Sequence, residues 1–500
     1  MESFTKLQHS PNQPSSAVGA LRRHRYSCWT LKSALLMPHI SISTKKKFVC
    51  LLFLATLTIC MLIWTESLQQ SYIAFRKDKR ATERYVYKEE TKLKEKLARF
   101  HEKMCKSDRR VQLALLNKLR GSPTEYRGSR IGVLLTLPHR LNDYFAVQFM
   151  TFVYASWKLI QDQAFEQYLQ VLPTNARLNL VDLLVFCEPA ACPKLPNDCL
   201  SKMEDKLVTE MPLRKPACYY QPTRQFNHSY PNVNSYAFVN EKVFGRILPL
   251  YDYLLRTDVD SFLSPAIFHF QMPKNMKIIT GKGGYCTSFS TKRLHQVARR
   301  LGLTHRGVHC LGSTWLGESN TIAKMATLTA QMTMRLFDNE FDTKKYPELR
   351  PYFLDNIEGT WPDWWRPVSS MYAQELVLND QIEEITRDYI MGHLLDVESC
   401  RRSNILEHIH IHTWHSDCEF NKFTFLEPII KNISLRARIE FPLPNVAPKI
   451  AACLPVFEYC THVAWSGLAF ALQKIAQNHE LNGMLITRIQ RSLRPVFFNS

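Results

Sequence analysis

Three apolar runs bounded by polar, turn-forming segments constrain this chain more than any other feature. Ile131-Gly-Val-Leu-Leu-Thr-Leu137 and Val181-Asp-Leu-Leu-Val-Phe-Cys187 read as buried strands. The third run, Tyr251-Asp-Tyr-Leu-Leu-Arg-Thr, leads into Asp258-Val-Asp260. Between the first two, Asn142 is placed to cap a helix that carries Phe145, Phe149, Phe152 and Val153 on one face. A helical stretch near 234–248 precedes the third run. Strand, helix, strand, irregular segment, helix, strand predicts an α/β fold with a mainly parallel sheet.

If the third run stays extended, alternation puts Asp258 and Asp260 on one face of its strand. Two carboxylates so placed repel unless a cation sits between them, and a hard divalent ion such as Mn²⁺ or Mg²⁺ suits oxygen ligands best. The Asp-x-Asp pattern alone is weak, because chance supplies about one per chain of this composition. Its place at the carboxyl end of a strand, where open α/β sheets bind ligands, raises it above that rate.

The 500 residues carry 64 Lys+Arg against 45 Asp+Glu, a formal net charge of +19. Such a balance suits nucleic acid, a membrane surface or a phosphorylated ligand, and equally a plain basic surface. No zinc-finger spacing, RNP signature or basic-region heptad supports nucleic acid. Residues 1–47 read as a disordered cytosolic tail. Lys45-Lys46-Lys47 then precede Phe48–Trp64, 17 uncharged residues that read as a short transmembrane anchor, type II by the positive-inside rule. A signal peptide competes, but the run starts far from Met1 and no small-x-small site follows it. Residues 65–125 form a charged stem in which Val86, Leu93, Leu97, Phe100 and Met104 make a helical stripe, a spacer or a short dimerising coiled coil. A catalytic domain is expected over 126–430, with an extension of unknown role over 431–500.

Eleven of the 14 cysteines lie from Cys105 to Cys460, and the cluster Cys187, Cys192, Cys199 and Cys218 predicts a lumenal disulfide framework. Zinc is the alternative, although that spacing matches no standard knuckle. Two sequons, Asn227-His-Ser229 and Asn432-Ile-Ser434, agree with a lumenal position.

Further along, Gly281, Gly283 and Gly284 allow close backbone approach to a ligand, and Lys282 could meet a phosphate. Residues 318–338 predict an amphipathic helix. Trp361-Pro-Asp-Trp-Trp365 offers aromatic faces for a sugar, or plain core. Ser369–Asn379 runs as a helix start, and Glu375, a carboxylate on that otherwise apolar stretch, is the best candidate for a group acting on acceptor or sugar. Alternation puts His408, His410 and His412 on one strand face, able to bind zinc themselves or to complete a shell begun by Asp258 and Asp260; a solvated edge strand is the plain reading.

Together these pieces resemble a type II membrane glycosyltransferase of the GT-A fold. The stretches Leu255–Leu263, Gly281–Tyr285, His305–Val308, Gly312–Trp315 and Trp361–Trp365 also resemble an uncharacterised eukaryotic family of predicted transferases. The resemblance implies a GT-A-like mixed, mainly parallel sheet flanked by helices, preceded by one transmembrane helix and a stem. It implies Mn²⁺ or Mg²⁺ on Asp258 and Asp260, with His410 or His412 completing the shell and a nucleotide-sugar as donor. Arg256, Lys282 and Arg306 would balance the diphosphate, Gly283 and Gly284 would admit it, and Tyr285, Trp315, Trp364 and Glu375 would face the sugar or acceptor. The acceptor would be a glycan or glycoprotein, and the location the Golgi or ER membrane.

Overall fold

The computed structural model describes residues 128–139, 144–161, 178–201, 203, 216–413, 418–427 and 454–478. Strand β1 (Arg130–Leu137) is followed by helix α1 (Tyr144–Phe149), a π-helical turn (Met150–Tyr154) and α2 (Ala155–Leu159). Strands β2 (Leu180–Cys187) and β3 (Cys218–Pro222) come next, then a 3₁₀ segment (Pro231–Asn240), α3 (Lys242–Ile247) and β4 (Tyr253–Arg256). After the short β5 (Ser261–Leu263) come β6 (Ile278–Lys282), α4 (Ser288–Leu301), β7 (Leu311–Glu318) and α5 (Ser319–Asn339). The two-residue strands β8 (Gly359–Thr360) and β9 (Trp364–Trp365) precede α6 (Ser369–Gln381). Strands β10 (Val397–Glu398) and β11 (His410–His412) and helix α7 (Val456–Asn478) complete the described elements.

Six strands form the main sheet in the order β3-β2-β1-β4-β7-β6. Alternation in β1 and β2 shows why both faces are covered. Ile131, Val133, Leu135 and Val181, Leu183, Val185 enter one apolar cluster with α1, α2 and α7, whereas Leu134, Leu184 and Phe186 enter another with α3 and α5. Each such side chain, once fully buried, contributes about 1.5–3 kcal/mol. A third cluster joins α4 and α6 around Trp364 and Tyr372.

The architecture corrects the expected GT-A-like, mainly parallel sheet. The fold is mixed α/β with three sheets. In the main sheet β1 runs parallel to β2 and β4, and β2 to β3, but β7 is antiparallel to both β4 and β6. A second sheet, β10-β11-β5, itself mixes parallel and antiparallel pairs. An apolar run specifies burial, not strand direction, and β7 runs against both of its neighbours. No helix among the described residues is long and apolar enough to cross a membrane. The expected span 48–64 and stem 65–125 lie outside the described residues. The expected helix near 234–248 is a 3₁₀ segment and the short α3, separated at Glu241.

Disulfides join Cys187–Cys192, Cys199–Cys218, Cys286–Cys310 and Cys400–Cys418, and Cys460 is a buried free thiol. Helix α7, from the stretch read as an extension, packs on α1 and α2 through Cys460, Val463, Ala464 and Ala471. At the other edge, buried Asp182 in β2 ties four segments together. It pairs with Arg130 at 2.7 Å and accepts hydrogen bonds from the Ala217 amide (2.9 Å) and the Tyr251 hydroxyl (3.0 Å). Removing one partner of a buried ion pair leaves the other charge stranded, so Asp182→Ala should lose about 3–5 kcal/mol of stability in urea unfolding. A loss below about 1 kcal/mol would show that the pair does not clamp this edge.

Candidate metal centre

Strand β4 ends at Arg256, and the two aspartates lie in the turn that links it to β5. Turn geometry, not strand alternation, therefore brings them together. Antiparallel pairing of β11 with β5 sets His412 opposite Ser261, the residue after Asp260. Parallel pairing of β10 with β11 carries Asp396, one residue before β10, to the same place.

Each acidic group has a named counter-charge. Arg256, only 3% exposed, reaches Asp258 at 2.9 Å, donates to the Ser313 carbonyl at 2.7 Å and lies 4.9 Å over the Tyr236 ring. Asp260 meets the Lys422 ammonium and, at 3.2 Å, Nε2 of His412. Asp396 accepts from the Thr314 amide (3.0 Å) and hydroxyl (2.6 Å), and its Oδ1 is 3.3 Å from Nδ1 of His412. Burial alone would raise Asp260, but Lys422 and His412 hold its carboxyl well below the usual range. Burial would lower His412, yet Asp260 and Asp396 on either side push it up to about 10.

His410 behaves in the opposite way, and the metal assignment made for it is corrected. Full burial outweighs Asp396 and lowers it to about 4, so it is neutral. Its Nδ1 accepts from the Asp396 amide at 3.3 Å, which puts the proton on Nε2, 2.7 Å from the Thr257 hydroxyl. Thr257 then bonds to Ser261 Oγ (2.7 Å), which donates to the Asp258 carbonyl (2.9 Å). Both nitrogens are engaged, so His410 braces the acid turn instead of lining it. His408 lies outside β11 and bonds to Ser403 and the His393 carbonyl.

One ligand atom each from Asp258, Asp260 and His412 lie within 4.8 Å of one another. Two carboxylates and one imidazole suit Mn²⁺ or Mg²⁺ by donor type and spacing. Binding an ion there has to displace a proton from His412 and compete with the Lys422 ammonium for Asp260, because Arg256, Lys422 and His412 already balance Asp258, Asp260 and Asp396.

The other candidates are spread more widely. Gly281 and Gly312 leave room for Asp396: a Cβ on Gly312 would fall inside that carboxylate and 2.5 Å from the Gly281 carbonyl carbon. A Cβ on Gly283 would collide with the Leu311 carbonyl, so it too serves packing; Gly284 alone faces open space. Lys282 is exposed at the end of β6, and Tyr285 is half-buried against the third cluster. Arg306 is not free for a diphosphate, since it donates to the carbonyls of Asn379 and Asp380 at the end of α6. Trp315 is fully buried and stacks on Tyr236, beneath Arg256. Trp364 is core: it stacks on Tyr372 at 4.5 Å and donates to the Glu340 carbonyl. Glu375 is 4% exposed and turned onto His309 Nδ1 (2.5 Å) and His305 Nε2 (3.3 Å), which hold it below the usual range against the opposing effect of burial. Two cavities of about 190 and 440 Å³, beside α5 and α6 and beside α3 and α5, are lined by neither Asp258, Asp260, Asp396 nor His412.

Sequence reasoning missed Lys422 and Asp396. Neither sits in a motif. Gly281 and Gly312, which make room for Asp396, come together only in the folded sheet and gave no local signal.

A mixed α/β protein with a carboxylate-imidazole centre at the end of β4 is thus defined. The chain belongs to the DUF7164 family, a domain of unknown function, which matches residues 125–477. No curated protein matches it.

Removing the competing ammonium should help a metal bind. Lys422→Met is expected to tighten Mn²⁺ binding about tenfold in titration calorimetry, about 1.4 kcal/mol, and Asp260→Ala to weaken it by at least as much. His410→Ala, which strands the Thr257 network, should lower stability by about 1–3 kcal/mol. Weaker Mn²⁺ binding in the lysine variant would mean that Lys422 supports the site instead of competing for it.

Proposed function

We propose that this protein transfers a sugar from a nucleotide-sugar to a glycan or glycoprotein acceptor, with a divalent metal at Asp258, Asp260 and His412. The convergence of those three ligand atoms within 4.8 Å at the carboxyl end of β4 carries the reading. A divalent ion bound there would supply positive charge to a departing diphosphate. Arg256 holds Asp258 from beneath, and Lys422, once released from Asp260, becomes a mobile cation for the phosphate oxygens. Hydrolysis by two carboxylates needs them several ångströms apart in unlike environments, one raised in pKa. Asp258 and Asp260, two residues apart in one turn, do not offer that separation, which argues for transfer. Four disulfides favour an oxidising compartment, the Golgi or ER lumen.

One observation favours a second reading, a catalytically silent glycan-binding relative: the centre is already charge-balanced by Arg256, Lys422 and His412. Thermal-shift measurements on the full-length chain separate the two. Under the transferase reading, one nucleoside diphosphate raises the melting temperature only with Mn²⁺, by the several degrees that about 2.7 kcal/mol gives at a hundredfold excess over Kd. Asp258→Ala should abolish that shift and turnover together, and stranding Arg256 should lower the unliganded melting temperature without unfolding the chain. Turnover that survives in Asp258→Ala would overturn the metal assignment, and glycan binding without any nucleotide shift would favour the silent relative.

A further inference from the structure

A second cluster of metal-binding side chains lies on the same edge of the main sheet, at the start of β7. His295 projects from α4, His305 and His309 come from the loop before β7, and Glu375 comes from α6. The three imidazole rings lie 4.1, 4.9 and 5.2 Å apart by centroid, and one nitrogen from each is within 4.8 Å of the others. The loop is pinned where it meets the strand by the Cys286–Cys310 disulfide, and Gly307 turns it with φ 77°. His305 is 2% exposed and His309 19%, so the cluster is enclosed but reachable.

We infer that His295, His305 and His309 form a zinc site separate from the Asp258 centre. Zinc is commonly held by three imidazoles, with a fourth position left for water or another ligand. The arrangement of Glu375 supports this. A ligating histidine nearly always donates its other ring N–H to a carboxylate or carbonyl, which fixes the tautomer and raises ligand basicity. His309 does so, with Nδ1 2.5 Å from Glu375 Oε1, and its Nε2 is left with a lone pair. Nε2 of His305 is buried, lies 3.3 Å from the same oxygen and makes no hydrogen bond of proper direction. The Gly307 amide donates to Nδ1 of His305 at 3.1 Å in the metal-free arrangement. Ligation through Nε2 moves the ring proton to Nδ1 and gives up that one hydrogen bond, a small loss beside three zinc–imidazole bonds. The donor set also separates the two centres, since imidazoles select zinc where the carboxylates of Asp258 and Asp260 select Mn²⁺ or Mg²⁺.

The test uses the full-length chain, purified with Zn²⁺ and dialysed against a weak chelator, with zinc counted by mass spectrometry. Wild type and the Asp258→Asn/Asp260→Asn double variant should each keep about one zinc per chain. His295→Ala, which removes a partly buried ring from α4, should lose it while keeping the wild-type circular dichroism. Glu375→Gln should weaken zinc binding about 10–100-fold. Co²⁺ substitution gives an independent readout: d–d bands of a three-imidazole site in wild type, absent in His295→Ala. Wild type that keeps no zinc, or zinc that stays in folded His295→Ala, would overturn the site. Zinc lost in the Asp258→Asn/Asp260→Asn variant but kept in His295→Ala would assign the ion to the other centre.

Discussion

The Asp396 carboxylate is buried where the main sheet meets the small one, and the geometry of that edge depends on it. Stranded in a protein interior, a charged carboxylate costs several kcal/mol. Here Thr314 supplies an amide and a hydroxyl, and His412 supplies an imidazolium. The carboxylate fits only because Gly281 and Gly312 have no side chains. Its own backbone takes a left-handed conformation, φ 53°, which aspartate tolerates better than most residues. One side chain thus fixes β6 and β7 against β10 and β11. By holding His412 from the far side, it also decides which way that imidazole faces Asp260.

The strands β1 and β2 were legible because a short, nearly continuous apolar run bounded by polar turns suits a strand covered on both faces. The long helix α5 was legible by its helical apolar periodicity. Strand direction was not, since β7 has an apolar pattern that fits either sense. At the site, Asp258, Asp260 and His412 were readable from residue type and spacing. His410 shares that spacing and still differs, because a neutral, fully buried imidazole and a charged one look identical in sequence. Trp364 and Arg306 show the same limit: an aromatic or a guanidinium suits a ligand and a core or a helix end equally well. Lys422 was beyond reach, because its pairing with Asp260 spans 162 residues and leaves no local pattern.

Charge balance is the property that separates this centre from a simple acidic pair. Two carboxylates with no counter-ions would demand a cation. Three anions matched by Arg256, Lys422 and His412 do not. A divalent ion binding here would therefore have to exchange with the His412 proton and compete with the Lys422 ammonium for Asp260.

Helix α7 adds a temporal constraint. Tyr459 donates its hydroxyl to the carbonyl of Leu263 in β5, across 196 residues of chain, and the same helix covers the π-helical turn beside α1. During synthesis, at about 5–20 residues per second, the acid turn emerges roughly 10–40 s before the helix that closes over it. For that interval the nascent chain exposes the apolar faces of β5, α1 and α2 with no cover of its own. That surface stays uncovered until translation supplies α7.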